Sequence, residues 1–390
     1  MKILLYSHFF APSVGGVETI VLALAKGLAA LRTNEGAPSF EITLVTEIPA
    51  DPHEDRALPF TVVRRPGLLR LARLIRASDV VHVAGAAWFP MLLARLLHKP
   101  YVVEHHGYQA ICPNGMLLLQ PAKTVCPGHF QAGRYSSCLA CESAEMPRAK
   151  AAFKLLLQFP RRALSRAAAA NIAVSHHVER RIGMPNANVI YHGILSATPG
   201  SCDSGPSSPL IFAFVGRFVA EKGIRVLIEA FSFLATERDD FEVLLIGDGP
   251  SFHEIQQLII ERKLQQRVRL TGALREPALG RALAGVSVVV MPSVCEETAG
   301  LSAMEQMQRG RLVLASSIAG LGEMVGDAGL LFPPGDASAL AATMRRVLDH
   351  PELIRTLGHA AHLRATQLFG LDRMVREHAA IYHRLGALRV

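Results

Sequence analysis

The amino-acid sequence predicts an α/β chain built from two doubly wound halves, each a parallel sheet with helices on both faces. Three observations predict it. Short apolar runs alternate with longer stretches of helical periodicity. The short runs are apolar almost throughout, as strands buried on both faces are. The alternation stops once, at a Ser/Gly/Pro-rich segment, and then restarts. At 390 residues the chain is also too long for one ordinary core, which agrees with two or three domains.

In the first half, residues 2–6 read as a strand, and 17–31 repeat apolar residues at three and four positions as a helix does. Residues 41–45, 80–83 and 101–104 read as further strands. The apolar stretch 86–97 is short and contains Arg95, so it reads as a buried amphipathic helix. No run of about 18 uninterrupted apolar residues occurs, and no membrane-spanning helix is expected. The opening residues show a strand pattern without a cleavable signal region, which makes a cytoplasmic location the expectation. The segment SATPGSCDSGPSSP, from Ser196 to Pro209, reads as a linker. After it, 210–215 is a strand, 224–235 a helix, 242–246 a strand and 250–263 a helix; 268–271, 286–291 and 311–315 are later strands. The expected domains are therefore 1–200, with a Cys-rich insertion near 108–145, and 201–372. A closing helix, 373–390, would return to brace the first half.

Half the residues are hydrophobic and 19% are charged, which describes a folded globular chain. A net charge of +8 implies anionic partners without choosing among them. Basic residues gather at Arg64, Arg65, Arg70, Arg73 and Arg76, and again at Arg148, Lys150, Lys154, Arg161, Arg162 and Arg166. The second set lies among Ala, Leu and Phe at helical spacing. It fits a solvated helix face or a surface for anionic membrane, peripheral on the inner face of the plasma membrane. Nucleic acid is not expected as a partner, because no nucleic-acid-binding motif is present.

Ligands of doubly wound sheets sit at the carboxyl ends of the strands, and the suggestive residues of the second half fall there. Val215-Gly216-Arg217 follows a strand, and Lys222-Gly223 precedes the next helix. Arg217 and Lys222 can face a diphosphate near that helix start, although each motif alone also describes a solvated loop. Ile246-Gly247-Asp248-Gly249-Pro250 and Thr271-Gly272-Ala273-Leu274 are two more strand-end turns. The fourth, from Pro292 to Glu305, is the most informative. Glu297 would sit above the strand end and Glu305 about a turn and a half into the next helix, pointing back toward its start. The backbone N–H groups near Gly300 and Leu301 would be free for phosphate oxygens. One element thus offers two carboxylates for sugar hydroxyls and a helix end for phosphate.

In this order, VGR…EKG, IGDGP, TGAL, PS…E-x7-E and then Gly320…Glu323 with LFPPGD resemble glycosyltransferase family 4 over nearly all of residues 210–345. The resemblance implies a GT-B fold of two Rossmann-like domains and a retaining, metal-independent transfer with no cofactor required for catalysis. It implies that Arg217 and Lys222 hold the donor diphosphate, that Glu305 binds the nucleotide ribose, that Glu297 binds the transferred sugar, and that 271–274 meets the base. Many relatives carry Pro-Phe where this chain has Thr298-Ala299; the smaller Ala299 is expected to reshape the sugar pocket. In the first half, Gly15 and Gly16 permit close backbone approach to a ligand. They match the Gly-Gly-x-Glu turn of the same family. Of the adjacent His105 and His106, the resemblance points to His106 as the residue close to the donor sugar, with His105 second.

Cys112, Cys126, Cys138 and Cys141 fall within 30 residues, the last two as Cys-Leu-Ala-Cys. In a cytoplasmic chain disulfides are disfavoured. A structural zinc on the four thiolates is the sharp reading, with His129 as a substitute ligand; reduced structural or redox-active thiols are the alternative. The expected reaction moves a sugar from a UDP- or GDP-sugar to a hydroxyl, the acceptor being a lipid-linked or cell-envelope saccharide of polysaccharide biosynthesis. A nucleotide-sugar epimerase, a phosphorylase and a non-catalytic sugar-nucleotide-binding subunit are the competing readings. A NAD-dependent dehydrogenase lacks its Gly-x-Gly-x-x-Gly turn here.

Overall fold

Apolar strands alternating with helices pair into two all-parallel sheets, because a strand buried on both faces needs a helical layer above and below it. The computed structural model describes residues 1–13, 15–49, 55–195 and 209–387. Within it the chain divides into two compact units. The first takes in Met1–Ala122, Cys126–Leu195 and Phe369–Val390, the second Lys123–Val125 and Ser196–Leu368. The expected linker lies outside the described residues except for Pro209.

In the first unit the strands are β1 (Lys2–Ser7), β2 (Glu41–Thr46), β3 (Thr61–Arg64), β4 (Val80–Ala84), β5 (Tyr101–His105), β6 (Ala170–Ala173) and β7 (Ala187–Val189). They lie in the order β3-β2-β1-β4-β5-β6-β7. The register runs Lys2 to Glu41 on one side of β1 and Ile3 to Val80 on the other. The helices are α1 (Gly16–Ala30), α2 (Leu68–Ala77), α3 (Trp88–Leu96), α4 (Tyr135–Ser143), α5 (Arg148–Arg166) and α6 (His176–Ile182).

The second sheet repeats the plan with β8 (Leu210–Val215), β9 (Phe241–Ile246), β10 (Val268–Leu270), β11 (Val288–Met291), β12 (Leu312–Ser316) and β13 (Leu330–Phe332), in the order β10-β9-β8-β11-β12-β13. Its helices are α7 (Ile224–Ala235), α8 (Phe252–Glu261), α9 (Ala278–Ala282), α10 (Leu301–Gln308), α11 (Ala319–Val325), α12 (Ala337–Asp349) and α13 (Glu352–Leu368). In each sheet the strand order reverses beside the first strand, at β1/β4 and at β8/β11. Those two switch points are where a doubly wound sheet opens a crevice.

The second core is built on phenylalanine. Phe212, Phe231 and Phe241 are fully buried, and their rings meet edge to face, at 5.0 Å for Phe231 with Phe241 and 6.0 Å for Phe212 with Phe241. Arg267 closes one end of this cluster. Its guanidinium sits 4.7 Å from the Phe241 ring and donates to the carbonyls of Arg238 and Phe241 at 2.8 and 3.0 Å. In the first unit the last helix, α14 (Leu371–Ala387), packs on α1 and β4. Its buried Tyr382 hydroxyl hydrogen-bonds the Nδ1 of His82 at 2.8 Å.

Strand 210–215 and helix 224–235 stand where the sequence places them. The helix expected at 250–263 is shorter, at Phe252–Glu261. Four strands, Thr61–Arg64, Ala170–Ala173, Ala187–Val189 and Leu330–Phe332, escape sequence reading. Three or four residues are too few to show a period, and ANIA and ANV are hardly apolar.

Candidate active site

The switch point of the second sheet carries most of the residues expected in the second half. After β8 the chain passes Gly216 and Arg217, makes a tight turn at Ala220–Lys222, and enters α7 through Gly223. After β11 it runs through 292–300 into α10. The two loops are stitched together, with the N–H of Val294 donating to the carbonyl of Glu221 at 2.9 Å. Gly223 makes that approach possible. It sits at φ 66°, and a Cβ there would stand 1.9 Å from the carbonyl oxygen of Pro292.

The consequence is an ion pair across the switch point, with Lys222 Nζ 2.9 Å from Glu297 Oε1. The Ser293 hydroxyl donates to the same carboxylate oxygen. Desolvation works against both charges, yet the mutual attraction wins. The Lys222 pKa is raised, by Glu297, and the Glu297 pKa is lowered, by Lys222 and the Ser293 hydrogen bond. Arg217 is exposed and close enough for its charge to press the Lys222 pKa the other way.

The far side of the Glu297 loop is fixed by α11. Gly320 donates its N–H to the Glu297 carbonyl at 2.8 Å, and a Cβ on Gly320 would lie 2.0 Å from the Thr298 carbonyl oxygen. Gly300 caps α10 and Leu301 is its first residue, so the opening N–H groups lack intrahelical acceptors and carry the positive end of the helix dipole. Ala299, within this loop, is buried. Glu305 is exposed on α10 and, among the described residues, forms no ion pair with Lys222. The protein around its carboxyl raises its pKa by desolvation, opposed by Arg309 and reinforced by Glu276. The neighbouring turns are joined as well, Gly247 donating to the carbonyl of Gly272 at 2.9 Å. Leu274 is half-buried just beyond.

In the first unit, Gly15 caps α1 and Gly16 opens it. Ser13 Oγ donates to the Glu18 carboxylate at 3.0 Å beside this turn; Val14 lies outside the described residues. At the end of β5 the two histidines part. His105 turns into the interior and pairs with Asn171 Oδ1 at 2.8 Å. His106 contacts Glu104 Oε2 at 3.2 Å and stacks on His192 with ring centroids 5.2 Å apart.

Glu104 is a feature the sequence reading missed. It is fully buried, and His82 and His378 approach it at 3.1 and 3.5 Å in addition to His106. Burial alone would raise its pKa, but His106 and His378 hold it well below the ordinary carboxylate range. Desolvation also depresses the histidines around it: His82 falls, His105 drops to about 4 and His192 to about 3. One signal for Glu104 was present, a lone charge inside the apolar strand YVVEH. Its partners lie up to 274 residues away (378 − 104) and leave no local trace.

Cys112, Cys126, Cys138 and Cys141 are all buried and unbridged, and all four border one small cavity. Among the described residues, the groups that bring three potential ligand atoms within 4.8 Å of one another are both built on Glu104 instead.

Comparison with known proteins covers both units. Residues 14–194 match the model described as Glycosyltransferase Family 4, and residues 209–350 the model described as Glycosyl transferases group 1. The 2-deoxystreptamine glucosyltransferase of Streptomyces kanamyceticus is 37% identical over 172 residues, which is 44% of this chain and 43% of that relative. The match therefore spans less than half of that relative. The alpha-D-kanosaminyltransferase of the same organism is 27% identical over 323 residues, 81% of this chain and 80% of the relative. Among solved structures, Anabaena HepE in complex with UDP superposes with a TM-score of 0.71 at 18% identity, covering 98% of this chain and 100% of that one. Sucrose-phosphate synthase from Thermosynechococcus elongatus gives 0.69 at 22% identity, covering 99% of each chain. At such identities the likeness establishes the fold, GT-B.

Two outcomes are expected. Histidines held neutral by burial cannot take up the protons that the unfolded chain binds below pH 6.5, and Glu104 adds a cost at lower pH, where its carboxylate must be protonated. Stability should therefore fall as pH drops from 6.5 toward 4, by up to about 1.4 kcal/mol per pH unit for each such histidine. Urea midpoints measured across that window should shift downward; a flat profile would contradict the buried network. Gly223→Ala should force the Lys222 loop away from Pro292 and weaken binding of any ligand held at the switch point at least tenfold. Unchanged affinity by calorimetry would show that the approach of the loops is not needed.

Proposed function

The chain belongs to glycosyltransferase family 4, and on that premise we propose that it transfers a glycosyl group from a nucleoside diphosphate sugar to an acceptor hydroxyl, with retention of configuration. The observation that supports this most directly is the Lys222–Glu297 pair at the β8/β11 switch point. In the free protein each charge satisfies the other. A donor offers both a better arrangement, its diphosphate replacing Glu297 beside Lys222 and its sugar hydroxyls replacing Lys222 beside Glu297.

As the bond to the anomeric carbon breaks, negative charge grows on the departing diphosphate. Arg217, Lys222 and the N–H groups opening α10 supply fixed positive potential for it, which is the service a divalent ion gives elsewhere. In this reading Glu305 serves the ribose, and Gly247, Gly272 and Leu274 serve the rest of the nucleotide; within the first unit, His106, which contacts Glu104, and the Gly15-Gly16 turn are the residues assigned to ligand. No covalent nucleophile is assigned. UDP is the first nucleotide to test, since HepE has been solved with UDP and with UDP-glucose.

For the acceptor we favour a saccharide carried at an anionic membrane surface. Helix α5 exposes Phe153, Leu156 and Phe159 among Arg148, Lys150 and Arg166, and α2 exposes Leu68 and Leu69 beside Arg70, Arg73 and Arg76. Apolar side chains flanked by cations suit a headgroup boundary. Arg64 is not part of that surface, because Asp55 holds it at 2.8 Å. Among the described residues no helix is long and apolar enough to cross a membrane. A soluble aminocyclitol acceptor is the second reading, favoured by the 2-deoxystreptamine glucosyltransferase among the relatives.

A thermal-shift screen of UDP-, GDP- and ADP-sugars should give its largest shift with one UDP-sugar, as mass action requires of a ligand that binds the native state. Lys222→Ala should lower turnover of that donor by about a hundredfold or more, of the order seen when one charge-stabilising donor is removed; undiminished turnover would end the catalytic reading. Binding to anionic vesicles at low salt should fall sharply in Phe153→Ser/Leu156→Ser. Failure of the wild-type protein to bind them would remove the membrane-surface acceptor and leave the aminocyclitol.

A further inference from the structure

We propose that Cys112, Cys126, Cys138 and Cys141 form a structural site for one zinc ion, which holds the long segment between His106 and α4 in place. The inference concerns the folding of the first unit and stands apart from the transfer reaction.

The segment poses a physical problem. From His106 to α4 at Tyr135 the described chain forms no helix and no strand longer than two residues. Irregular stretches beyond about 12–15 residues are uncommon in compact domains. Yet this one is buried at Tyr108, Ile111, Leu117, Leu118 and Phe130. Nor does α4 explain the burial, for it has no apolar stripe of its own. Its buried residues are Cys138, Cys141 and Glu142, so the face it turns inward is the one that carries the two thiols, three positions apart.

The four thiols come from three separate places in the segment and border the same cavity of ≈ 10 Å³, the size of a single water-like particle. Backbone geometry brings them there. Cys112 N–H is fixed on the carbonyl of Tyr108 at 2.9 Å, and Cys126 N–H on that of Leu117 at 2.6 Å. Polar donors already face a sulfur, the N–H of Gln120 lying 3.2 Å from Cys141 Sγ. Donors of this kind orient thiolate ligands and temper their charge. His129 borders the cavity too, and its Nδ1 is buried without a hydrogen-bond partner.

The thiols stand more openly around the cavity than ligands closed on an ion. A cysteine sulfur moves on a single χ1 rotation between staggered wells, so closure needs no change of fold. Four sulfur donors without water suit zinc in a closed tetrahedral structural site. A site of this composition stabilises by binding only the folded segment.

The test uses the full chain purified under reductant. Metal analysis should find one zinc per chain. Titration with an organomercurial, zinc release being followed by a colorimetric chelator, should free one zinc as four of the six thiols react, the other two reacting without release of metal. Cobalt substituted for zinc should show thiolate-to-cobalt charge transfer and the intense visible bands of a tetrahedral site. Cys138→Ser/Cys141→Ser should lose the metal, whereas His129→Ala should keep it. Reduced, folded wild-type protein that binds neither zinc nor cobalt overturns the proposal. So do disulfides among these four cysteines in the native protein, acid-labile sulfide with iron, or zinc retained by the double variant.

Discussion

Two opposite charges, partly withdrawn from water at the meeting of two loops, are the constraint on which the second unit is organised. Lys222 and Glu297 lie 2.9 Å apart because β8 and β11 are adjacent while their continuations diverge to opposite faces of the sheet. A partly buried pair is costly to separate once both charges are desolvated. The protein therefore keeps a cation and a carboxylate ready, each neutralised by the other until a ligand with complementary charge arrives. The glycines around the pair follow from it. Gly223 lets one loop pass under the carbonyl of Pro292, and Gly320 lets α11 press against Thr298.

A different solution governs the first unit. There the carboxylate of Glu104 is surrounded by histidines rather than by a lysine. His82, His106 and His378 all point a nitrogen at it, and Tyr382 from α14 fixes the other nitrogen of His82. The last helix of the chain thus reaches the strand-end histidine through three contacts, Tyr382 to His82, His82 to Glu104 and Glu104 to His106. Contacts of this kind gain electrostatic strength from their low-dielectric surroundings. The network explains why one of two adjacent histidines, His105, is committed to Asn171 in the interior while His106 stands at the strand end. The adjacent cysteine-lined segment adds a second buried polar centre a few residues further on.

Much of this was legible in the sequence. The two doubly wound halves follow from apolar runs alternating with helical periods, and the ordered strand-end turns follow from their glycines and charges. Of the expected cluster Arg217, Lys222, Glu297 and Glu305, the structure pairs Lys222 with Glu297 at the switch point and leaves Glu305 exposed on α10. Four short strands were not legible, since a period cannot be seen in three or four residues. Glu104 was not, although a charge within YVVEH was a hint. Nothing in the sequence singles out Ser293, whose bond to Glu297 depends on how the loop folds.

By itself, then, the sequence determined the class of fold, the family, and the residue types available at each strand end, because those depend on local periodicity and on neighbours in the chain. Only the tertiary structure decided which charges face each other. Lys222 and Glu297 are 75 positions apart (297 − 222), and whether they pair depends on the strand order of the sheet. His82 meets Glu104 because β4 and β5 are neighbours in the sheet, whereas His378 reaches Glu104 and Tyr382 reaches His82 only because α14 packs across the first unit. Pattern in a chain is a short-range property, whereas electrostatics in a folded protein is set by distance and burial, which the chain acquires only when its sheets close.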